Sequence, residues 1–262
     1  MGLLDNILAK KATEVIELRK QPRPVRPPHW GARSVVDALS RPAAAPLRLI
    51  AEVKFRSPSA GPLSRALGAG ERALAYQEGG AAMVSVLTDA TWFDGSLDDL
   101  RAARERLQIP LLCKDFLIDP VQVDHAWAAG ADAALVIVRC VSRDRDLKGL
   151  VDGALACGVE PFVEVVDERE LGRALEAGAR LVGVNARDLD TLQMDAARAT
   201  RVLEQIPSGV VAVHLSGLKT PDDAARIGNS RADAALIGEA LMRTDQPTEA
   251  LRMLVAGAAR KN

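Results

Sequence analysis

Of the 262 residues, only three are cysteine and three are histidine. Cys113, Cys140 and Cys157 are too few and too scattered for a disulfide framework or a zinc pattern. The histidines lie far apart in the chain, so no metal site is expected. No apolar run approaches the roughly 18 residues that cross a bilayer. Neither sign of charge dominates: 34 Lys and Arg stand against 35 Asp and Glu, a net charge of -1. That balance gives no basic stripe for nucleic acid. The opening "MGLLDNILAKKATEVIELRK" lacks the apolar core and cleavage site of a signal peptide. Its Met-Gly start is no myristoylation motif either, because Asn6 stands where Ser or Thr is needed. These absences point to a cytoplasmic protein with no nucleic-acid or membrane partner.

What the chain does contain is alternation. Residues 1–21 carry Leu4, Ile7, Leu8, Val15 and Leu18 at helical spacing. "QPRPVRPPHW" (21–30) then breaks regular structure with four prolines in ten residues. From there, eight short β-branched runs alternate with amphipathic helical stretches: "RLIAEVKF" (48–55), "AMVSVL" (82–87), "PLLCKDF" (110–116), "ALVIV" (134–138), "PFVEVV" (161–166), "LVGVN" (181–185), "VVAVHL" (210–215) and "ALIG" (235–238). Strand and helix in strict turn predict a parallel sheet covered by helices. A weak internal repeat, "GGAAMVSVL", "AGADAALVIV", "AGARLVGVN" and "SRADAALIG", marks every second unit. Glycine ends the preceding helix in three of the four, and Arg231 replaces it in the last. Eight such units in about 210 residues fit a (β/α)8 TIM barrel, with residues 1–45 an N-terminal helical extension and 46–262 the barrel. A doubly wound open sheet is the alternative, but no G-x-G-x-x-G follows the first strand.

A barrel of this kind carries its chemistry at the C-terminal ends of its strands. Read in order, those ends offer Glu52 and Lys54, Ser85, Lys114, Arg139, Glu164, Asn185, Ser216 and Gly238. Each has a plainer role available. Glu52 and Lys54 can form a structural ion pair, Lys114 can keep its ammonium wet at a strand end, and Asn185 can satisfy backbone groups at a loop start. Glu164 is harder to dismiss, since an acid between valines needs a partner or a shifted pKa. What favours a site is that all converge on one mouth. The glycine turns Ser216-Gly217 and Gly238-Glu239, after the seventh and eighth strands, fall where such barrels bind phosphate through backbone N–H groups. The Gly-, Ser- and Pro-rich stretch "RSPSAGPLSRALGAG" after the first strand suits a lid.

These stretches resemble the indole-3-glycerol phosphate synthase family: "LLDNILAKKATEV", "IAEVKFRSPSAG", "VSVLTDATWFDGS", "LLCKDFLIDPVQV", "PFVEVVDERE", "GVNARDLDTL" and "LIGEALMR". The resemblance runs over nearly the whole chain. It implies decarboxylating ring closure of 1-(2-carboxyphenylamino)-1-deoxyribulose 5-phosphate, a small-molecule sugar-phosphate substrate, without a cofactor. It further implies that Lys114 is the general acid on the substrate carbonyl and Glu164 a proton acceptor or donor in the dehydration. Lys54 would engage the substrate's anionic groups, with Glu52 holding and tuning it. Asn185 and Arg187 would position the substrate. Ser57, Ser216, Gly217, Gly238 and Glu239 would meet the phosphate, and Phe93 would wall the aryl ring. A general-acid lysine works best with its pKa lowered towards working pH, here expected from neighbouring positive charge. A monomer or weak homodimer is expected.

One position departs from the family. Where "AESG" is usual the chain reads "HLSG", so Leu215 replaces an expected active-site glutamate. Leucine accepts no hydrogen bond and supports no ammonium. Strand alternation sends the adjacent His214 towards the helices, where it cannot substitute. Three readings follow: a synthase that tolerates Leu215, a relative acting on a different aryl-amino sugar phosphate, or a phosphate-binding non-enzyme. Retention of Lys54, Lys114, Glu164 and Asn185 favours the first. A phosphoribosylanthranilate isomerase is disfavoured, because its Cys and Asp acid–base pair is not evident.

Overall fold

The computed structural model describes residues 2–42, 45–189 and 191–258. Eight parallel strands close into a barrel: β1 (Arg48–Val53), β2 (Met83–Leu87), β3 (Leu111–Lys114), β4 (Ala133–Ile137), β5 (Glu160–Val165), β6 (Leu181–Asn185), β7 (Val211–Leu215) and β8 (Ala234–Ile237). All eight coincide with the β-branched runs. Each pairs with its sequence neighbours, and β1 closes the ring by pairing with both β2 and β8. The open-sheet alternative is thereby excluded. Gly80, Gly130 and Gly178, the glycines of the repeat, all adopt positive φ at helix ends, the left-handed turn that only glycine enters freely.

Period-2 alternation sorts the side chains into two cores. Leu49, Ala51 and Val53 of β1 join the layer between sheet and helices. Ile50, Met83, Leu112, Leu135, Phe162, Val213 and Leu236 fill the barrel interior. Gly183 on β6 makes room there: a methyl group at that position would stand 2.8 Å from Leu215 Cδ1 and 3.2 Å from the Phe162 ring.

The N-terminal extension spans the barrel from one end to the other. Helix α1 (Leu3–Leu18) puts Leu4 and Ile7 into the interior core at the C-terminal mouth. The proline-rich segment then runs down the outside, where Arg23 pairs with Asp124 and Arg26 with Asp132. A short helix (Val35–Leu39) adds Val35 and Leu39 to the interior core, alongside the strand-start residues Leu181 and Val211.

Candidate active site

The mouth holds a cavity of about 410 Å3. Each residue given a part by the family resemblance, and Leu215, lines it: Glu52, Lys54, Ser57, Phe93, Lys114, Glu164, Asn185, Arg187, Leu215, Ser216, Gly217, Gly238 and Glu239. The reason is geometric. Strand-end positions of one parity face the axis, so residues far apart in sequence converge there.

Two linked units organise the polar side. Glu52 is buried and bridges two ammonium groups, with Lys54 Nζ 2.6 Å from Oε1 and Lys114 Nζ 3.5 Å from Oε2. Burial works against the Glu52 charge, but Lys54 and Lys114 outweigh it and hold the carboxyl below its ordinary pKa. The Lys114 contact is longer than a hydrogen bond, which leaves its protons available to a ligand. In the second unit, Asn185 donates from Nδ2 to Glu164 Oε1 at 2.9 Å. Asn185 Oδ1 accepts from the Ser216 hydroxyl at 2.8 Å and from the Arg187 N–H at 3.0 Å. This fixes the amide's orientation and ties β5, β6 and the turn after β7 together. Burial raises the Glu164 pKa, with Lys114 and Asn185 pulling against it.

One expectation needs correction. Lys114 is not tuned downward by neighbouring positive charge. Burial does lower its pKa, but Glu52 and Glu164 outweigh that, and the ammonium is held above its ordinary value. Carboxylates face this lysine, so its ammonium keeps its charge at neutral pH.

The part of the mouth after β7 and β8 is made by tight turns. Ser216 takes φ 68° and Gly217 φ 88°, a left-handed pair that costs a non-glycine residue about 1 kcal/mol. Gly238 packs against Glu52, and a methyl group there would stand 2.5 Å from Oε1. Glu239 pairs with Arg243 one helical turn on, at 3.0 Å. Lys219 and Arg243 also line the cavity, two cations beyond the strand ends: Lys219 lies in the loop after the Ser216-Gly217 turn, and Arg243 caps the short helix Glu239–Met242. The segment after β1 folds into a small hairpin, Arg56–Ser57 against Gly61–Pro62. It brings Ser57, Pro58 and Ser59 to the cavity edge.

The apolar side comes from Phe93, Phe116, Leu135, Ile137, Leu215 and Leu236, with Leu3, Leu4 and Ile7 of α1. Phe93 and Phe116 lie with ring centroids 6.1 Å apart. Leu215 is 2% exposed and sits opposite Asn185 in the β6–β7 register. His214 is buried on the other face, near Arg226 and Asp223, as alternation required. Two strand-end residues lie outside the cavity lining. Ser85 pairs in register with Glu52 and is wholly buried. Arg139 turns away to Glu170 (3.0 Å) and Asp188 (2.9 Å), bracing the helix after β5 (Glu168–Glu176) against the loop after β6. Among the described residues no His, Cys, Asp and Glu cluster suits a metal ion, and no helix is long and apolar enough to cross a membrane.

A family model described as Indole-3-glycerol phosphate synthase matches residues 4–254. The chain belongs to the indole-3-glycerol phosphate synthase family. Its relatives of that name include one from Beutenbergia cavernae, 40% identical over 98% of this chain and 93% of the relative. Others come from Parafrankia sp., 45% identical over 84% and 81% of the two chains, and Mycobacterium ulcerans, 42% identical over 84% and 80%. More distant solved structures share the barrel alone. Tryptophan synthase from M. tuberculosis superposes with a TM-score of 0.65 at 13% identity, covering 88% of this chain and all of that one (100%). Thiamine phosphate pyrophosphorylase from Pyrococcus furiosus gives 0.62 at 15%, covering 81% and 95%.

Proposed function

We propose that this chain is a lyase, an indole-3-glycerol phosphate synthase of tryptophan biosynthesis. It converts 1-(2-carboxyphenylamino)-1-deoxyribulose 5-phosphate into indole-3-glycerol phosphate, carbon dioxide and water. The observation that carries this reading is the placing of Glu52, bridged to Lys54 and Lys114, beside the Glu164–Asn185 pair in one cavity.

The chemistry follows from that placing. The ring carbon that bears the carboxylate attacks the sugar ketone carbon. As the carbon–carbon bond forms, the ketone oxygen takes a proton from Lys114 and becomes a hydroxyl. Carbon dioxide then departs, and the electrons of its bond to the ring restore aromaticity. The hydroxyl leaves as water, with a proton supplied by the lysine pair. The Glu164 carboxylate removes the adjacent C–H proton, which completes the indole. Lys54 sits where it engages the substrate's anionic groups, and Glu52 keeps both ammonium groups oriented. Asn185 orients Glu164 and is itself fixed by Ser216 and the Arg187 N–H. The Ser216-Gly217 and Gly238-Glu239 turns, with Ser57, receive the phosphate, while Arg187 and Phe93 enclose the rest of the substrate. Electrostatic groups held in place before reaction supply the largest share of such rate enhancement.

Leu215 supports a second reading, a substrate whose aryl portion is more apolar, since it extends the surface of Leu135, Ile137 and Leu236. The test of the first reading is turnover of the carboxyphenylamino-deoxyribulose phosphate, followed by indole fluorescence, for wild type and Lys114→Met. Turnover by the wild type and loss of about a thousandfold or more in Lys114→Met is the expected result. Equal rates in the two would refute the assignment of Lys114.

A further inference from the structure

Lys11 does not belong where the sequence puts it. On α1 it falls on the same face as Leu4, Ile7 and Val15, the stripe that packs onto the barrel, and it is 3% exposed. Burying an ammonium on an apolar stripe costs several kcal/mol unless it is compensated. Three carboxylates surround it: Asp115 at 2.7 Å, Asp89 at 2.9 Å and Glu14 at 2.9 Å. Burial works against the Lys11 charge, and Asp115 and Asp89 hold it firmly protonated.

The two aspartates lead into the active site. Asp115 directly follows Lys114, and it is held by the Thr88 hydroxyl (2.8 Å) and the Phe116 N–H (2.7 Å). Asp89 is wholly buried and caps the short helix Ala90–Phe93 through the Trp92 N–H at 2.7 Å. That helix ends at Phe93, a wall of the cavity. Seven and four residues before Lys11 on the same stripe, α1 contributes Leu4 and Ile7 to the same cavity. One ammonium therefore joins three walls of the site: α1, the end of β3 with Lys114, and the helix carrying Phe93.

We propose that Lys11 is a positioning residue of this active site, a buried clamp that sets Lys114 and the Phe93 wall against the N-terminal helix. The proposal rests on the synthase reading above. Without the ammonium, Asp89 and Asp115 face each other uncompensated, and either a proton must be taken up or the walls must part. Glu14 is half exposed and finds water, so the strain falls on the two aspartates and the strand ends they occupy.

The test compares wild type, Lys11→Met, Lys11→Arg and Asp89→Asn, with kcat and KM measured well below each protein's Tm. A displacement of about 1 Å in catalytic geometry costs about a hundredfold in rate, so kcat in Lys11→Met is expected to fall by about that factor. Lys11→Arg, which keeps the charge, recovers at least a tenth of wild-type kcat. A structural prop would instead lower Tm and leave kcat per folded molecule unchanged. Lys11→Met within threefold of wild-type kcat overturns the proposal. If Lys11→Met does not fold, Asp89→Asn decides: a drop of fivefold or more in kcat/KM at a retained Tm supports the clamp, and an unchanged value overturns it. Trypsin gives a readout independent of turnover, cutting α1 at Lys10 in the folded Lys11→Met protein faster than in wild type. Equal cutting rates also overturn the proposal. An inactive wild type would overturn the synthase reading and the clamp with it, whereas an active wild type beside an unaffected Lys11→Met overturns the clamp alone.

Discussion

Gly238→Ala puts the organisation of the mouth to a steric test. Gly238 has φ -131° and ψ -72°, outside the β and right-handed α regions, so alanine meets some backbone cost there. The larger objection is spatial. The added methyl would stand 2.5 Å from Glu52 Oε1, 3.1 Å from its Cβ and 3.2 Å from its Cδ. Non-bonded heavy atoms settle at about 3.5 Å, so the carboxylate must retreat by about 1 Å. Its 2.6 Å contact with Lys54 and 3.5 Å contact with Lys114 cannot both survive that movement. A displacement of this size corresponds to a loss of about a hundredfold in kcat, or about 2.7 kcal/mol of transition-state stabilisation. The cost to folding is that of modest overpacking, about 1–3 kcal/mol, which lowers Tm by a few degrees in a chain of this size. The assay is steady-state ring closure followed by indole fluorescence, beside a thermal melt. If Gly238→Ala keeps kcat within threefold, or loses only KM, then Glu52 does not organise the two lysines as described.

Two further outcomes follow from the same geometry. Lys54→Ala should abolish most turnover while leaving Tm within a few degrees, since Lys54 reaches into the cavity and Glu52 retains Lys114; a stability loss large enough to explain the lost activity would make the pair structural. In Asn185→Ala the kcat should fall about ten- to a hundredfold through loss of one charge-assisted hydrogen bond of about 1.5–3 kcal/mol. The pH profile gives the sign. Burial raises the Glu164 pKa, with Lys114 and Asn185 opposing it, so activity that needs its carboxylate is lost as pH falls through that raised value. Removing the Asn185 donor moves this acid limb to higher pH, and an unmoved limb would show that Glu164 is not the base.

The fold and most of the site were legible for one physical reason: strict alternation. A parallel barrel forces every second residue of a strand inward, so Glu52, Lys114, Glu164 and Asn185 could be assigned to one mouth from parity and position. The inward placing of Leu215 and the outward placing of His214 followed from the same rule. What escaped was anything set by contacts between elements. Lys11 carried a local signal, a charge on the apolar stripe of α1, but its partners Asp89 and Asp115 lie on loops whose approach to α1 no spacing reveals. The direction of the Lys114 pKa was misjudged because lysine density in the sequence says nothing about which neighbour is nearest; two carboxylates are. The segment after β1 was read as a lid, and its hairpin depends on the Leu63 N–H donating to the Phe55 carbonyl at 2.8 Å. Lys219, in a loop, and Arg243, at the end of a helix of one turn, lie beyond the strands, where alternation gives no direction.

The proposed activity is indole ring closure in a mouth that has Leu215, and no carboxylate, at the end of β7. Its most direct test is conversion of 1-(2-carboxyphenylamino)-1-deoxyribulose 5-phosphate by wild type and Leu215→Glu side by side. Turnover by the wild type is expected, with Leu215→Glu altering the rate by no more than about a hundredfold, the worth of one supporting electrostatic contact. No turnover by the wild type, with activity appearing only in Leu215→Glu, would contradict it.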